Sequence, residues 1–165
     1  MHSPDGSVVP DAHRRRASEL YGLIIGGAVL ATSGVEERLA FIAGSLVITL
    51  AVYWVAETYV HLMAERAVEG HELSRRTAGT IAKDGLPLIT ASAVPLVVLL
   101  VCGLAGMATV RAADWALYAN TVVLLLAGYR ISRDAGLTGA RLVGSIAVSG
   151  VMGLAMVGLK IVLNH

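Results

Sequence analysis

Glu57, His61 and Glu65 follow one another at four-residue spacing in the run AETYVHLMAER. On a helix this spacing drifts only slowly around one face, so two carboxylates and an imidazole stack along it. Two kinds of chemistry suit such a stack. Carboxylate oxygen and imidazole nitrogen bind divalent transition metals, and they also exchange protons, histidine titrating near neutral pH. Glu57 and His61 are therefore candidate metal ligands, and with Glu19 and Asp84 they are the candidate members of an ion or proton path. A plainer reading stands beside each. Helix ends at a bilayer surface are polar, and exposed Glu–Arg pairs contribute little. Glu65, Glu69 and Glu72 fit that solvated rim, and His61 fits a hydrogen-bonded interfacial histidine. For Glu57 the two readings balance, because an ionisable group beside an apolar span is a functional candidate by default.

Other chemistry lacks its residues. Cys102 is the single cysteine and lies in an apolar run, which excludes an internal disulfide and CxxC chemistry. There is no P-loop, dinucleotide fingerprint or nucleic-acid module, and no Ser–His–Asp or zinc-protease spacing. The expectation is a protein that is not an enzyme, has no nucleic-acid partner and holds no resident cofactor. A divalent transition-metal ion enters only as a substrate.

The elements that must position these groups are membrane helices. Of 165 residues, 56% are hydrophobic and 15% charged, against about 25% charged in an ordinary soluble domain. Mean hydropathy is +0.71, and eighteen glycines accompany the aliphatic residues, which suits close helix packing in lipid. The pattern predicts an all-α, polytopic integral membrane protein: a bundle of about five transmembrane helices near 19–33, 39–61, 86–110, 113–129 and 139–163. Residues 1–17 read as a flexible basic tail, residues 18–165 as one membrane domain, and residues 62–85 as a cytoplasmic connector made of a helical extension, a bend at Gly70 and a second short helix. The first span is short for a bilayer that needs about 20 residues. It also resembles a cleaved secretory signal, with arginines before a short apolar core. Gly22, Gly26 and Gly27 favour a retained helix that packs through small residues, as do Ser145, Ser149 and Gly153 in the last span. Pro87 suits a first helical turn, whereas Pro95 falls inside a span and should kink it or free a carbonyl.

Tyr53, Trp54 and Tyr59 mark the end of the second span as an aromatic belt. From Leu39 to Glu57 the rise is about 27 Å at ~1.5 Å per residue, close to a hydrocarbon thickness of about 30 Å. Glu57 and His61 thus belong at the mouth of the span, not at its centre. Asp114 reads as a helix cap, Asn120 as interhelical glue, and Lys160 as a snorkelling cation. One side of the membrane receives Arg14, Arg15, Arg16, Arg66, Arg75, Arg76, Lys83, Arg130, Arg133 and Arg141; the other receives Arg38, Arg111 and Lys160. That ten-to-three excess places the N-terminus inside and the C-terminus outside, in a plasma (inner) membrane.

With its inside N-terminus, its second span running past a glutamate (AETYVHLMAER) and the closing texture LLLAGYRISRDAGLTGARLVGSIAVSGVMGLAMVGL, the chain resembles the vacuolar iron transporter family. The resemblance implies a homodimer that moves iron or manganese ions, with Glu57 and Met63 at the matching positions of the path. The first span, YGLIIGGAVL, carries no aspartate where that family has an Asp-Gly pair, and the connector after the second span is shorter. A non-transporting scaffold or accessory subunit is the alternative from a different class.

Overall fold

The computed structural model describes residues 8–34, 38–69 and 75–163, which form seven helices and no strand. They are α1 (Val8–Thr32), α2 (Leu39–Glu69), α3 (Arg75–Asp84), α4 (Leu86–Ala91), α5 (Ala93–Leu104), α6 (Thr109–Asp134) and α7 (Gly139–Leu163). The segments α3, α4 and α5 succeed one another as a single broken rod, so the molecule has five rods. Four stretches among the described residues are long and apolar enough to cross a membrane: Leu39–Ala67, Ala78–Leu104, Thr109–Asp134 and Gly139–Leu163. The protein is an all-α, polytopic membrane protein. The fifth rod, α1, does not meet that apolar criterion on its own.

Several boundaries differ from the sequence reading. The tail does not run loose to residue 17, because α1 is already helical from Val8. Within residues 62–85, by contrast, α2 continues to Glu69 and Arg75–Asp84 forms α3, the helical extension and second short helix of the sequence reading. The bend at Gly70 lies outside the described residues. The third rod breaks twice, and proline chemistry accounts for the second break. Pro95 has no N–H to give the Ala91 carbonyl, and α4 ends at Ala91, with Ser92 as the joint to α5. At the first break, Gly85 joins α3 to α4, which carries Pro87 in its opening turn.

Glycine sets the two sharp turns near the opposite ends. Gly106 and Gly136 have φ of +85° and +73°, the left-handed region that other residues avoid. In each turn the next residue donates back over the helix end, Met107 to the Cys102 carbonyl at 3.1 Å and Leu137 to that of Ser132 at 3.0 Å. Both α5 and α6 therefore stop in a Schellman motif.

Helix α1 is the axis of the bundle, packed by α2, α3, α4, α6 and α7. That position explains why its apolar stretch is short: neighbouring helices rather than lipid cover most of it. Leu30 and Ala31 meet Ala112, Ala113, Ala116, Leu117 and Met156 in the main core, while Leu46, Leu50 and Leu88 form a second cluster between α2 and α4. The outer rods α2 and α7 present Phe41, Ile48, Val52, Val55, Val148, Val151 and Leu154 outward to the bilayer.

Three side chains also fasten α1 by its own carbonyls. Ser92 donates to the Gly22 oxygen, Asn120 to that of Leu23 and Lys160 to that of Leu30, each at 2.9 Å. Gly22 and Gly26 face α4 and Ser92, with Gly22 against the Leu88 carbonyl. Along α7, Ser145 shares a 2.7 Å hydrogen bond with Ser132, Ser149 lies against Gly128, and Gly153 against Thr121. A methyl group at Gly22 would overlap the Leu88 carbonyl oxygen, which is backbone and cannot swing aside. Gly22→Ala is therefore expected to cost on the order of 1–3 kcal/mol, as overpacked sites do. Denaturant unfolding in mixed micelles would register this as a lower midpoint, and an unchanged midpoint would show that the helices separate freely there.

Candidate functional site

Ser18 on α1 and Glu57 on α2 meet where the two helices pass. The Ser18 hydroxyl donates to Glu57 Oε1 at 2.5 Å. One turn further along α2, His61 Nε2 stands 3.9 Å from the same oxygen. The other carboxylate oxygen, Oε2, is closed off from solvent and has no hydrogen-bond partner, as is the hydroxyl of the adjacent Thr58. Such an atom is costly when ionised, since the low-dielectric surroundings replace none of the water it has lost.

Glu57 and His61 line one cleft of about 280 Å³ between α1, α2 and α4. Its other walls are Tyr21, Ile25, Tyr53, Ala56, Val60 and Leu88, all but the tyrosine hydroxyls apolar. Tyr53 and Tyr59 are turned outward, in keeping with a belt, but Trp54 is not. Its indole N–H donates to the Ala82 carbonyl at 2.9 Å, tying α2 to α3. Met63, the second position implied by the family resemblance, does not line the cleft, and nor does Glu65.

The four residues expected to form one path are divided among three places. Glu57 and His61 share a cavity. Asp84 is 2% exposed and is held by Arg15, whose Nε and a terminal nitrogen each lie 2.8 Å from Oδ1. Glu19, one step along α1 from Ser18, lines a different cleft with Arg130. The arginines read as resting at the leaflet are in part structural, since Arg16 pairs with Asp134 at 2.8 Å and joins α1 to α6. Among the described residues, no group of three His, Cys, Asp or Glu side chains converges as a metal centre, so Glu57 and His61 stand as two donors.

A second polar cluster occupies the far end of the bundle, and two expectations change there. Lys160 does not snorkel outward. It is 6% exposed and turns inward to the C-terminal end of α1, giving hydrogen bonds to the Leu30 carbonyl and, at 3.1 Å, to Ser33 Oγ. A cation suits that end of a helix, where carbonyls lack partners and the dipole is negative. Asp114 is not a cap, because α6 begins at Thr109; it stands 3.7 Å from Lys160 across a recess of about 240 Å³. Asn120, fully buried, holds α6 to α1 while its own carbonyl oxygen has no partner.

Sequence reasoning missed Ser18, Arg15, Ser92 and the inward lysine as functional or positioning groups. Ser18 carried a usable signal: it lies on the same stripe as Gly22 and Gly26, four residues apart each time. The pairing of Arg15 with Asp84, 69 positions apart, carried none. Between the two polar ends lie the apolar residues Leu46, Leu50, Leu88, Leu30 and Ile42. Comparison with protein-family models, with curated proteins and with solved structures gave no match.

Proposed function

We propose that the protein is a small proton-handling membrane transporter in which Glu57 takes up and releases a proton beside His61. The observation that carries this reading is the Glu57 carboxylate. One oxygen is held by Ser18, the other is buried without a partner, and a second titratable group lies 3.9 Å away in the same apolar-walled cleft. A proton on the unpartnered oxygen removes the cost of a bare buried carboxylate, and His61 is placed to exchange it with the membrane surface. A divalent cation is the second cargo this pair could take; it would need further ligands from water, since only two side chains are offered. The ten-to-three division of basic residues supports a cytoplasmic position for this cleft and an inner, plasma-membrane location.

In proteoliposomes, the parent protein is expected to carry a pH-dependent flux that Glu57→Gln abolishes. Ser18→Ala should lower the flux without removing it, since Ser18 positions the carboxylate. A parent protein without flux in any proton or metal-ion gradient would sink the reading.

A scaffold or accessory subunit is the competing function, and one observation favours it. The polar ends are separated by a packed apolar core, and α1 is clamped along its length by Ser92, Asn120 and Lys160. A scaffold would tolerate Glu57→Gln without functional consequence.

A further inference from the structure

The cleft lined by Glu19 has a different character from the one lined by Glu57. It is about 360 Å³, and its walls come from α1 (Glu19), α4 (Pro87, Thr90, Ala91), α5 (Val94) and α6 (Val123, Arg130). It contains one carboxylate and one guanidinium on facing helices. Neither takes part in an ion pair or hydrogen bond with any described residue, and they do not bond each other. Their charged neighbours behave otherwise: Arg15, Arg16, Asp84 and Asp134 are all paired. Two opposite charges in one cleft, each without a protein partner, mark a place for a molecule that brings both signs itself.

The wall beneath them identifies the kind of molecule. From Arg130 to Val123 is seven residues of helix, about 10 Å at ~1.5 Å per residue, running from the rim into the apolar layer. Ala91, Val94 and Val123 carry that wall downward without a charged group. Charges at the rim with a greasy slot below is the profile of a phospholipid, whose head-group dipole stands above its acyl chains. A soluble zwitterion would leave the slot empty.

We infer that the cleft between Glu19 and Arg130 binds a zwitterionic phospholipid with a primary ammonium head group. Arg130 presents a planar fork of donors to the phosphate oxygens. Glu19 accepts from the ammonium, which carries three donors; a quaternary choline carries none. The same carboxylate repels head groups of net negative charge, which a lone arginine would attract. A neutral zwitterion leaves both protein charges compensated. The lipid comes from the leaflet on the Glu57 side, because Glu19 and Ser18 are consecutive on α1. This site is independent of the proton chemistry at Glu57.

The test uses the full chain in detergent, offered equal amounts of phosphatidylethanolamine, phosphatidylcholine and phosphatidylglycerol and read by native mass spectrometry. The expected result is retention of the ethanolamine lipid about fivefold over the other two, the ratio one partly exposed ion pair provides. Glu19→Gln should erase the preference over choline and raise retention of the glycerol lipid. Arg130→Gln should lower retention of all three, and Arg130→Lys should restore it in part. Neither side chain makes a hydrogen bond or ion pair with a described residue, so the helical circular-dichroism signal of the variants should match the parent. Equal retention of the three lipids, or an ethanolamine preference unchanged in Glu19→Gln, would overturn the inference. Displacement of the lipid by millimolar phosphoethanolamine would also overturn it, by assigning the cleft to a soluble ligand.

Discussion

Arg15→Ala is expected to destabilise the bundle by about 3 kcal/mol, at the low end of the cost of breaking a buried ion pair from one side. The asymmetry of the pair drives this. Arg15 is 59% exposed and loses little when removed, but Asp84 is 2% exposed and would retain a charge with no compensating donor. Asp84→Asn should cost less, about 1 kcal/mol, because a neutral amide needs no counter-charge. Combined with Arg15→Ala it should recover part of the loss, and that recovery distinguishes a buried charge from a merely missing contact. The pair joins α1 to the end of α3, where the Trp54 bond to Ala82 is the other tie. Equilibrium unfolding of the four proteins of this cycle in mixed micelles gives the coupling directly. Equal midpoints for the parent and Arg15→Ala would mean that water reaches Asp84 freely.

Lys160→Met carries the second large effect. Methionine keeps an unbranched side chain only one atom shorter and removes the charge, so packing is disturbed little. What disappears is a charged donor to the Leu30 carbonyl and Ser33, at the end of a helix whose last carbonyls otherwise lack partners. A hydrogen bond from a charged group contributes about 1.5–3 kcal/mol, and a loss near 2 is expected here. Asp114→Asn should cost well under 1 kcal/mol, since that carboxylate is half-buried at 3.7 Å and forms a long, loosely held pair. Amide hydrogen exchange locates the effect: protection should fall over the last turns of α1 in Lys160→Met and remain at the parent level in Asp114→Asn. The reverse ranking would assign the role of Lys160 to the ion pair rather than to the helix end.

The membrane class and the helical bundle were legible in the sequence because hydropathy and length report on single segments. Pro95 announced its own break, since the missing N–H is a property of that residue. What escaped was everything decided by partners. The short apolar run before Ser33 looked like a weak span when it is a rod enclosed by others, a fact visible only once α4, α6 and α7 pack around it. Asp84 was grouped with Glu57 by its proximity to the same membrane level; the structure gives its charge to Arg15 instead. Glu19 suffered the same way, because one step along a helix turns a side chain by about 100° and places it on another wall. Lys160 was assigned outward by a rule for exposed helix ends, and a neighbouring helix terminus supplied a better environment inside.

The central place of α1 has a consequence for how the molecule is made. A segment that does not meet the apolar criterion alone is synthesised ahead of the groups that fasten it, since Ser92, Asn120 and Lys160 come 60 or more residues after its end at Thr32. During synthesis this helix must wait at or near the lipid surface, or shelter against α2, until the rest of the chain arrives. The last of these clamps, Lys160, belongs to α7, so α1 is fully secured only after all four apolar rods have been made. A helix at the centre of the bundle thus has its place in the bilayer decided late.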